Sequence, residues 1–175
     1  MLTLHLLGAV LLVLAGGGLG RQVAERYGRR VRELEQLRGL LGMLASEIDY
    51  GLTPLPEAFG RVGRLGEGGA VRRLFERTAL AVTEDSPESF REAWQRVRGE
   101  EATALALTKP DDEILEELGW ALGSSDREDQ LRHLQLATER LGMALSEAQR
   151  VAVKNVPLSR SLGLLGGILV ALLLF

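Results

Sequence analysis

The sequence has 175 residues, a formal net charge of −3 and no cysteine. Without cysteine the chain can form neither disulfides nor cysteine-ligated metal sites, and its slightly acidic balance argues against nucleic-acid binding. All 21 Lys and Arg and all 24 Asp and Glu lie between Arg21 and Arg160. The sequence therefore predicts a charged middle segment between two apolar ones.

The first apolar segment, residues 2–20, is close to the roughly 20 residues that a membrane-spanning helix needs. A cleaved signal peptide is the alternative, but such peptides carry basic residues before the apolar run. Here the basic residues follow it, beginning with Arg21, Arg26 and Arg29. Because cytoplasmic flanks are enriched in Lys and Arg, this order favours a retained anchor whose C-terminal side lies in the cytoplasm.

Residues 21–50 carry apolar side chains at three- and four-residue steps, which predicts a helix directly after the first span. Gly51 is expected to end this helix, and Thr53 with Pro54 is expected to start a short one. Four glycines between positions 63 and 69 then predict a flexible break.

Four further helices are predicted in the middle segment. Apolar spacing places the first over residues 71–82. Ser86 and Pro87 are expected to start the second, which buries Phe90 and Trp94 on one face.

Thr108 is expected to begin the third of these helices, and Gly123 to end it. Ser125 and Glu128 have the spacing of a capping box for the last helix, which is expected to break at Pro157. No run of alternating β-branched residues indicates a strand.

The second apolar segment, residues 161–175, is short for a span and would need local thinning of the bilayer. Arg150, Lys154 and Arg160 precede it, so both flanks predict the same topology, with the middle inside and both termini outside. The predicted fold is all-α: a cytosolic helical bundle, residues 21–160, between transmembrane helices at 2–20 and 161–175.

Glycines recur at four-residue spacing within both apolar segments. Gly16 and Gly20 form one pair, and Gly163 and Gly167 form another. Since small residues one turn apart let helices approach closely in lipid, these pairs predict contact between the two spans or with another membrane protein. The alternative is that glycine is simply common in spanning helices.

No catalytic motif is present, and no phosphate-binding Gly-Lys-Ser/Thr sequence occurs. His5 falls in the first span, where an ionisable residue is a functional candidate by default. Asp129 and His133 lie one helical turn apart and could share a metal ion, but no second matching pair of ligands is present, so a charge pair on the helix surface is the favoured explanation. We predict no cofactor, no metal and no enzymatic activity.

Residues 101–149 carry four basic and 11 acidic side chains, a net charge of −7, which suits either a basic partner or a solvated face. Trp120 lies off the apolar stripe of its helix. An exposed tryptophan indicates a contact surface, and packing is the alternative.

Several short sequences follow one another over nearly the whole chain: Tyr50-Gly-Leu-Thr-Pro-Leu-Pro56, Phe90-x-x-Ala-Trp94, Leu107-Thr-Lys-Pro-Asp111, Leu122-Gly-Ser-Ser-Asp126 with Gln130 and His133-Leu134, and Arg160-Ser-Leu-Gly163. Taken in this order, they resemble the stage III sporulation protein AB family.

This resemblance implies a place in the sporulation channel complex that joins mother cell and forespore, with the chain in the mother-cell membrane around the forespore. It also implies a cytosolic domain similar to those of type II secretion F proteins. The implied partners are a cytoplasmic secretion-type ATPase, other stage III channel proteins and membrane lipid, possible self-association being left open. The implied role is scaffolding.

Within that interpretation, the best candidate for a partner contact is the group Asp126, Glu128, Asp129 and Gln130, together with Trp120. Helix capping is a competing explanation for the carboxylates. An F-like assembly platform of a pilus or type II secretion system is the alternative function, although such proteins usually carry duplicated cytosolic domains.

Overall fold

A computed structural model describes residues 2–50, 53–82, 88–123 and 126–174, with side chains from residue 7 onward. Across these ranges the chain is helical and contains no strand, so the predicted all-α class is confirmed. Six helices lie within the described ranges: α1 (Leu2–Tyr50), α2 (Leu55–Leu65), α3 (Gly69–Ala81), α4 (Phe90–Glu101), α5 (Lys109–Leu122) and α6 (Arg127–Leu174).

The chain divides into two compact units. Unit 1 comprises Met1–Val31 and Glu147–Phe175, and unit 2 comprises Arg32–Ser146. Unit 1 thus takes the first part of α1 and the last part of α6. Unit 2 contains α2 to α5 with the remaining parts of the two long helices.

The prediction that Pro157 breaks the last helix is wrong, because α6 continues through it to Leu174. A proline in a helix removes one backbone hydrogen bond and crowds the preceding turn. The carbonyl left without its hydrogen bond is that of Val153, four residues earlier, and both Val153 and Pro157 are exposed, so the interrupted bond lies at the surface of the helix pair.

Four predicted helix starts differ from the structure, the first of them at α3, which begins at Gly69 rather than at residue 71. The helix after the first connection begins at Leu55, with Pro54 rather than Thr53 as its N-cap. Ser86, Pro87 and Ser125 lie outside the described residues. The helices they were expected to start begin at Phe90 and Arg127, so both starts were predicted too early.

Local hydrogen bonds explain those later starts. The Ser89 hydroxyl accepts the Glu92 N–H at 3.3 Å, and the Glu92 carboxylate accepts the Ser89 N–H at 2.9 Å, a complete capping box. The Asp126 carboxylate accepts the Asp129 N–H at 2.9 Å, so Asp126 caps the start of α6. The predicted start at Thr108 and end before Gly123 are confirmed for α5.

An aromatic cluster forms the centre of unit 2. Phe59 of α2, Phe75 of α3, and Phe90 and Trp94 of α4 pack with ring centroids 4.8 to 6.5 Å apart. Trp94 is fully buried, and its indole N–H donates to the Leu115 carbonyl of α5 at 2.8 Å. Four helices are joined by this cluster, and the one polar atom of the indole is satisfied.

Two glycines make room for these rings. A Cβ at Gly119 of α5 would lie 2.6 Å from the Trp94 indole nitrogen, and one at Gly63 of α2 would lie 2.9 Å from the Cβ of Phe75. The glycine-rich break is therefore shorter than predicted, because Gly63 belongs to α2 and packs in the core. Gly68 and Gly69, with φ of +96° and +76°, form the turn into α3.

Candidate membrane hairpin and partner surface

The two predicted glycine pairs lie against each other in unit 1. A Cβ built on Gly16 would lie 2.5 Å from the Gly163 carbonyl oxygen, and one on Gly163 would lie 2.8 Å from the Gly20 Cα. A Cβ on Gly167 would lie 2.9 Å from the Cα of Val13. Since real Cβ atoms do not approach other atoms so closely, the helix backbones touch where no side chain stands between them.

Sequence reasoning missed part of this contact. Gly20 packs against the Ser159 carbonyl, and Ala24, one turn further along α1, is 1% exposed. The small residues thus continue at four-residue steps, from Gly16 to Ala24 on α1 and from Ser159 to Gly167 on α6. That spacing is visible in the sequence once Ala and Ser are counted as small.

These contacts fix an antiparallel register. Gly20 faces Ser159. The next residue in the chain after each of them is the charged residue nearest the apolar segment, which is Arg21 on α1 and Arg160 on α6. Both helices therefore change from apolar to charged at the same level of the hairpin. We name the two helical segments of unit 1, residues 2–31 of α1 and 147–174 of α6, the hairpin.

Both long helices meet the length and hydropathy of a membrane span, with 18-residue windows of mean hydropathy 1.5 and 1.8. A core helix of a soluble protein can pass the same test, but it would be mostly buried. Here only 11% of each window is buried. The exposed side chains include Leu7, Val10, Leu11, Leu14, Leu19, Leu162, Leu164, Leu165, Ile168, Leu169, Val170, Leu172, Leu173 and Leu174.

The charged side of the hairpin is basic. Arg21 donates to Glu25 at 2.8 Å, and this hydrogen bond, with the positive charges of Arg160 and Arg29, holds the pKa of Glu25 below its ordinary value. Arg26, Arg29, Lys154 and Arg160 are exposed, and within the described parts of the chain they form no ion pair.

In unit 2, Trp120 is 46% exposed, in contrast to the buried Trp94. The Arg91 guanidinium lies over its ring, 2.8 Å from the centroid. Gly123 packs against the Cβ of Arg91, which brings the end of α5 beside the start of α4. Trp120 therefore presents part of an aromatic surface to solvent with a cation stacked on it.

The other candidate partner residues lie at the start of α6. Asp126 caps the helix, Asp129 accepts from Arg132 and lies 3.5 Å from His133, and the Gln130 amide donates to the Leu122 carbonyl at 3.3 Å. Glu128 is exposed. The Gln130 bond joins this group to the end of α5, where Trp120 lies. We name Trp120, Asp126, Glu128, Asp129 and Gln130 the α5–α6 patch.

The acidic charge of residues 101–149 is partly neutralised by arginines from elsewhere in unit 2. Arg98, which precedes this range, pairs with Asp112 and Glu116. Glu101 is buried, and Arg73 and Arg77 both donate to its carboxylate at 2.8 to 3.3 Å. The surface is therefore less acidic than its net charge along the sequence suggests.

The Asp129–His133 pair is not joined by a third ligand. Among the described residues no group of three or more His, Cys, Asp or Glu side chains is placed to hold a metal ion. The side chain of His5 lies outside the described residues.

The fold and the hairpin define a small all-helical protein with two helices long and apolar enough to cross a membrane. The stage III sporulation protein AB family matches residues 5–175. The chain therefore belongs to the stage III sporulation protein AB family, as its sequence motifs indicated.

Individual relatives agree with this assignment. Stage III sporulation protein AB of Bacillus subtilis (strain 168) is 36% identical over 172 residues, which cover 98% of this chain and 99% of the relative. A solved structure of stage III sporulation protein AB (SpoIIIAB) superposes with a TM-score of 0.64 at 29% identity, over 71% of this chain and 97% of that one.

Proposed function

We propose that the protein is a non-catalytic membrane scaffold of the sporulation channel between mother cell and forespore. The hairpin inserts into the mother-cell membrane through residues 2–20 and 161–175, and residues 21–160 form a cytoplasmic body that holds a secretion-type ATPase and other stage III proteins. The common level at which both helices become charged carries this proposal, because a hairpin in a bilayer needs both boundaries at one surface.

The orientation follows from the basic flanks. Each apolar segment has its basic residues on the side of the middle segment, so the middle segment stays in the cytoplasm and both termini lie outside. The likeness to F-protein cytoplasmic domains belongs to the same proposal. An F-like platform in a pilus or secretion system is less favoured, since family membership points to sporulation.

We further propose the α5–α6 patch as the surface that contacts the ATPase. It combines a half-exposed tryptophan with exposed and half-exposed carboxylates. Exposed aromatic anchors surrounded by polar groups are typical of protein interfaces.

Topology can be tested cleanly because the chain has no cysteine of its own. A single Ser146→Cys substitution places a thiol on an exposed position of unit 2. In protoplasts of growing cells that carry the protein in their plasma membrane, we expect a membrane-impermeant maleimide to label it only after lysis. Labelling in intact protoplasts would place the body outside and contradict the proposal.

Contact through the α5–α6 patch is tested by co-purification of the ATPase from membranes of sporulating cells. Asp126→Asn with Glu128→Gln and Asp129→Asn removes three charges while keeping a good N-cap, because asparagine caps helices as well as aspartate does. We expect recovery of the ATPase to fall. Glu57→Gln with Glu67→Gln and Glu139→Gln removes three exposed charges elsewhere in unit 2 and should leave it unchanged.

A further inference from the structure

Basic side chains gather on the charged side of the hairpin, within unit 1. The segments 21–31 and 147–160, which we name the basic collar, hold seven basic residues against two acidic ones, a net charge of +5. The seven are Arg21, Arg26, Arg29, Arg30, Arg150, Lys154 and Arg160.

The hairpin register brings four of these residues close to the end of the apolar segments. Arg21 and Arg160 stand at that level on the two helices, next to the Gly20–Ser159 contact. At 1.5 Å per residue, Arg26 and Lys154 follow within about 8 and 9 Å. The headgroup layer of a bilayer is about 5 to 8 Å thick on each side, and a Debye length at physiological salt is about 8 Å. Headgroup phosphates are thus within reach of all four.

Three of the four are available to bind. Arg26, Lys154 and Arg160 are exposed and form no ion pair in the described parts of the chain, whereas Arg21 is hydrogen-bonded to Glu25. Glu25 cannot cancel the excess, because its single charge faces several basic side chains. Guanidinium groups suit phosphate well, since they donate two parallel hydrogen bonds to its oxygens.

We propose that the basic collar binds the phosphate-bearing headgroups of anionic phospholipids and surrounds the hairpin with an anionic lipid shell. This inference rests on the proposed insertion of the hairpin. It adds a specific partner, a negatively charged phospholipid rather than any bilayer. Each basic residue near an anionic membrane surface raises the affinity for that surface about fivefold.

The test uses the full chain in vesicles of phosphatidylcholine and phosphatidylglycerol at a 4:1 ratio. Discs cut from these vesicles with styrene–maleic acid polymer, with and without protein, are compared for their lipid composition by mass spectrometry. We expect phosphatidylglycerol to be enriched severalfold around the protein, and the enrichment to shrink in 1 M salt, where the Debye length falls to about 3 Å.

Arg26→Gln with Lys154→Gln and Arg160→Gln should abolish most of the enrichment. Arg38→Gln with Arg64→Gln and Arg127→Gln removes the same charge from exposed positions of unit 2 and should keep it. Equal lipid composition with and without protein, or equal loss in both variants, overturns the collar. So does displacement of the lipid by inorganic phosphate at millimolar concentration, which would assign the collar to a soluble anion.

Insertion is read separately, as resistance of the protein to extraction from the vesicles by alkaline carbonate. A protein that resists extraction but shows no lipid preference contradicts the collar alone. A protein that is extracted contradicts the proposed membrane function, and the collar with it.

Discussion

The two units of this chain solve the problem of packing helices in opposite ways. In unit 1 the helices meet where side chains are missing, at Gly16, Gly20, Gly163 and Gly167. In unit 2 they meet through the largest side chains available, with Trp94 and three phenylalanines at the centre. Their charges differ as well: unit 1 has a net charge of +5, and unit 2, with 14 basic and 22 acidic residues, has −8.

The difference follows from the solvent that each unit is proposed to occupy. In water, burying a large aromatic side chain releases apolar surface from the solvent and stabilises the core. In lipid there is no such gain between helices, so close backbone contact at small residues becomes the source of attraction. The two largest effects on stability are therefore expected where a buried aromatic side chain is removed from unit 2 and where a large side chain is inserted into the glycine contact of unit 1.

The largest effect is expected at the aromatic centre of unit 2. Trp94→Ala removes a fully buried side chain and its hydrogen bond to Leu115, and should lower the free energy of unfolding by about 3–5 kcal/mol. Trp120→Ala is the matched control, since half of that side chain is already exposed, and should cost under about 1.5 kcal/mol. Urea unfolding of the full chain in detergent, followed by circular dichroism, measures both. Equal losses would contradict the assigned core.

Filling the glycine contact should have the next largest effect. Gly163→Leu places a side chain where a Cβ already lies 2.5 Å from the Gly16 carbonyl oxygen, and overpacking of this kind costs about 1–3 kcal/mol. Gly166→Leu is the control, because a Cβ there meets no atom within 4 Å. Cysteines at the exposed positions 22 and 158, which lie within two residues of the Gly20–Ser159 contact and are joined by a short bis-maleimide, report the distance between the helices. We expect Gly163→Leu to reduce crosslinking severalfold, and the helices would have to meet elsewhere if both variants crosslinked alike.

Much of the fold could be predicted from the sequence because helical periodicity and capping are local signals. The end of α5 before Gly123 was predicted correctly for that reason, whereas Gly51, which was expected to end α1, lies outside the described residues. Pro157 was misread because a local rule against proline in helices ignores where the freed carbonyl points. The start of α4 was misread because Ser86 precedes Ser89, and a sequence shows both as possible caps.

The candidate site was less accessible to sequence reasoning, since it depends on residues far apart in the chain. Net charge along residues 101–149 gave −7, yet Arg73, Arg77 and Arg98 lie outside that range and neutralise part of it. Glu101 shows the limit most clearly. No local pattern marks it as buried, and its partners precede it by 24 and 28 residues.

A smaller effect on stability is expected at Glu101. This carboxylate is buried in unit 2, whereas the basic collar of unit 1 carries exposed charges. Hydrogen bonds from Arg73 and then Arg77 outweigh burial and hold the pKa of Glu101 below its ordinary value of 4.5. Glu101→Gln leaves two arginines that are about half exposed and can return to water, so the cost should be about 1–2 kcal/mol at neutral pH.

The pH dependence has a definite sign. Because the folded-state pKa is lowered, the Glu101 carboxylate stabilises the fold above about pH 4.5, and this contribution is lost as the pH falls through the lowered value. The difference in unfolding free energy between the parent and Glu101→Gln should therefore shrink toward zero under acidic conditions. A difference that stays constant down to the lowest pH at which the protein remains folded would mean that the charge of Glu101 is not what stabilises the fold.

The smallest effect on stability is expected at Arg91. Substituting this residue tests whether Trp120 serves a partner contact, whereas Trp94 serves the core. Arg91→Gln removes the cation over Trp120 at a half-exposed site, which should cost about 0.5–1 kcal/mol. If the ring of Trp120 is held for a partner rather than for the core, the same substitution should reduce co-purification of the ATPase far more than it reduces stability. Arg96 also lies on α4 and forms exposed ion pairs with Glu88 and Glu100. Arg96→Gln breaks these pairs and should leave co-purification of the ATPase intact. Loss of the ATPase in both variants would point to a general defect of α4, and loss in neither would remove Trp120 from the proposed contact surface.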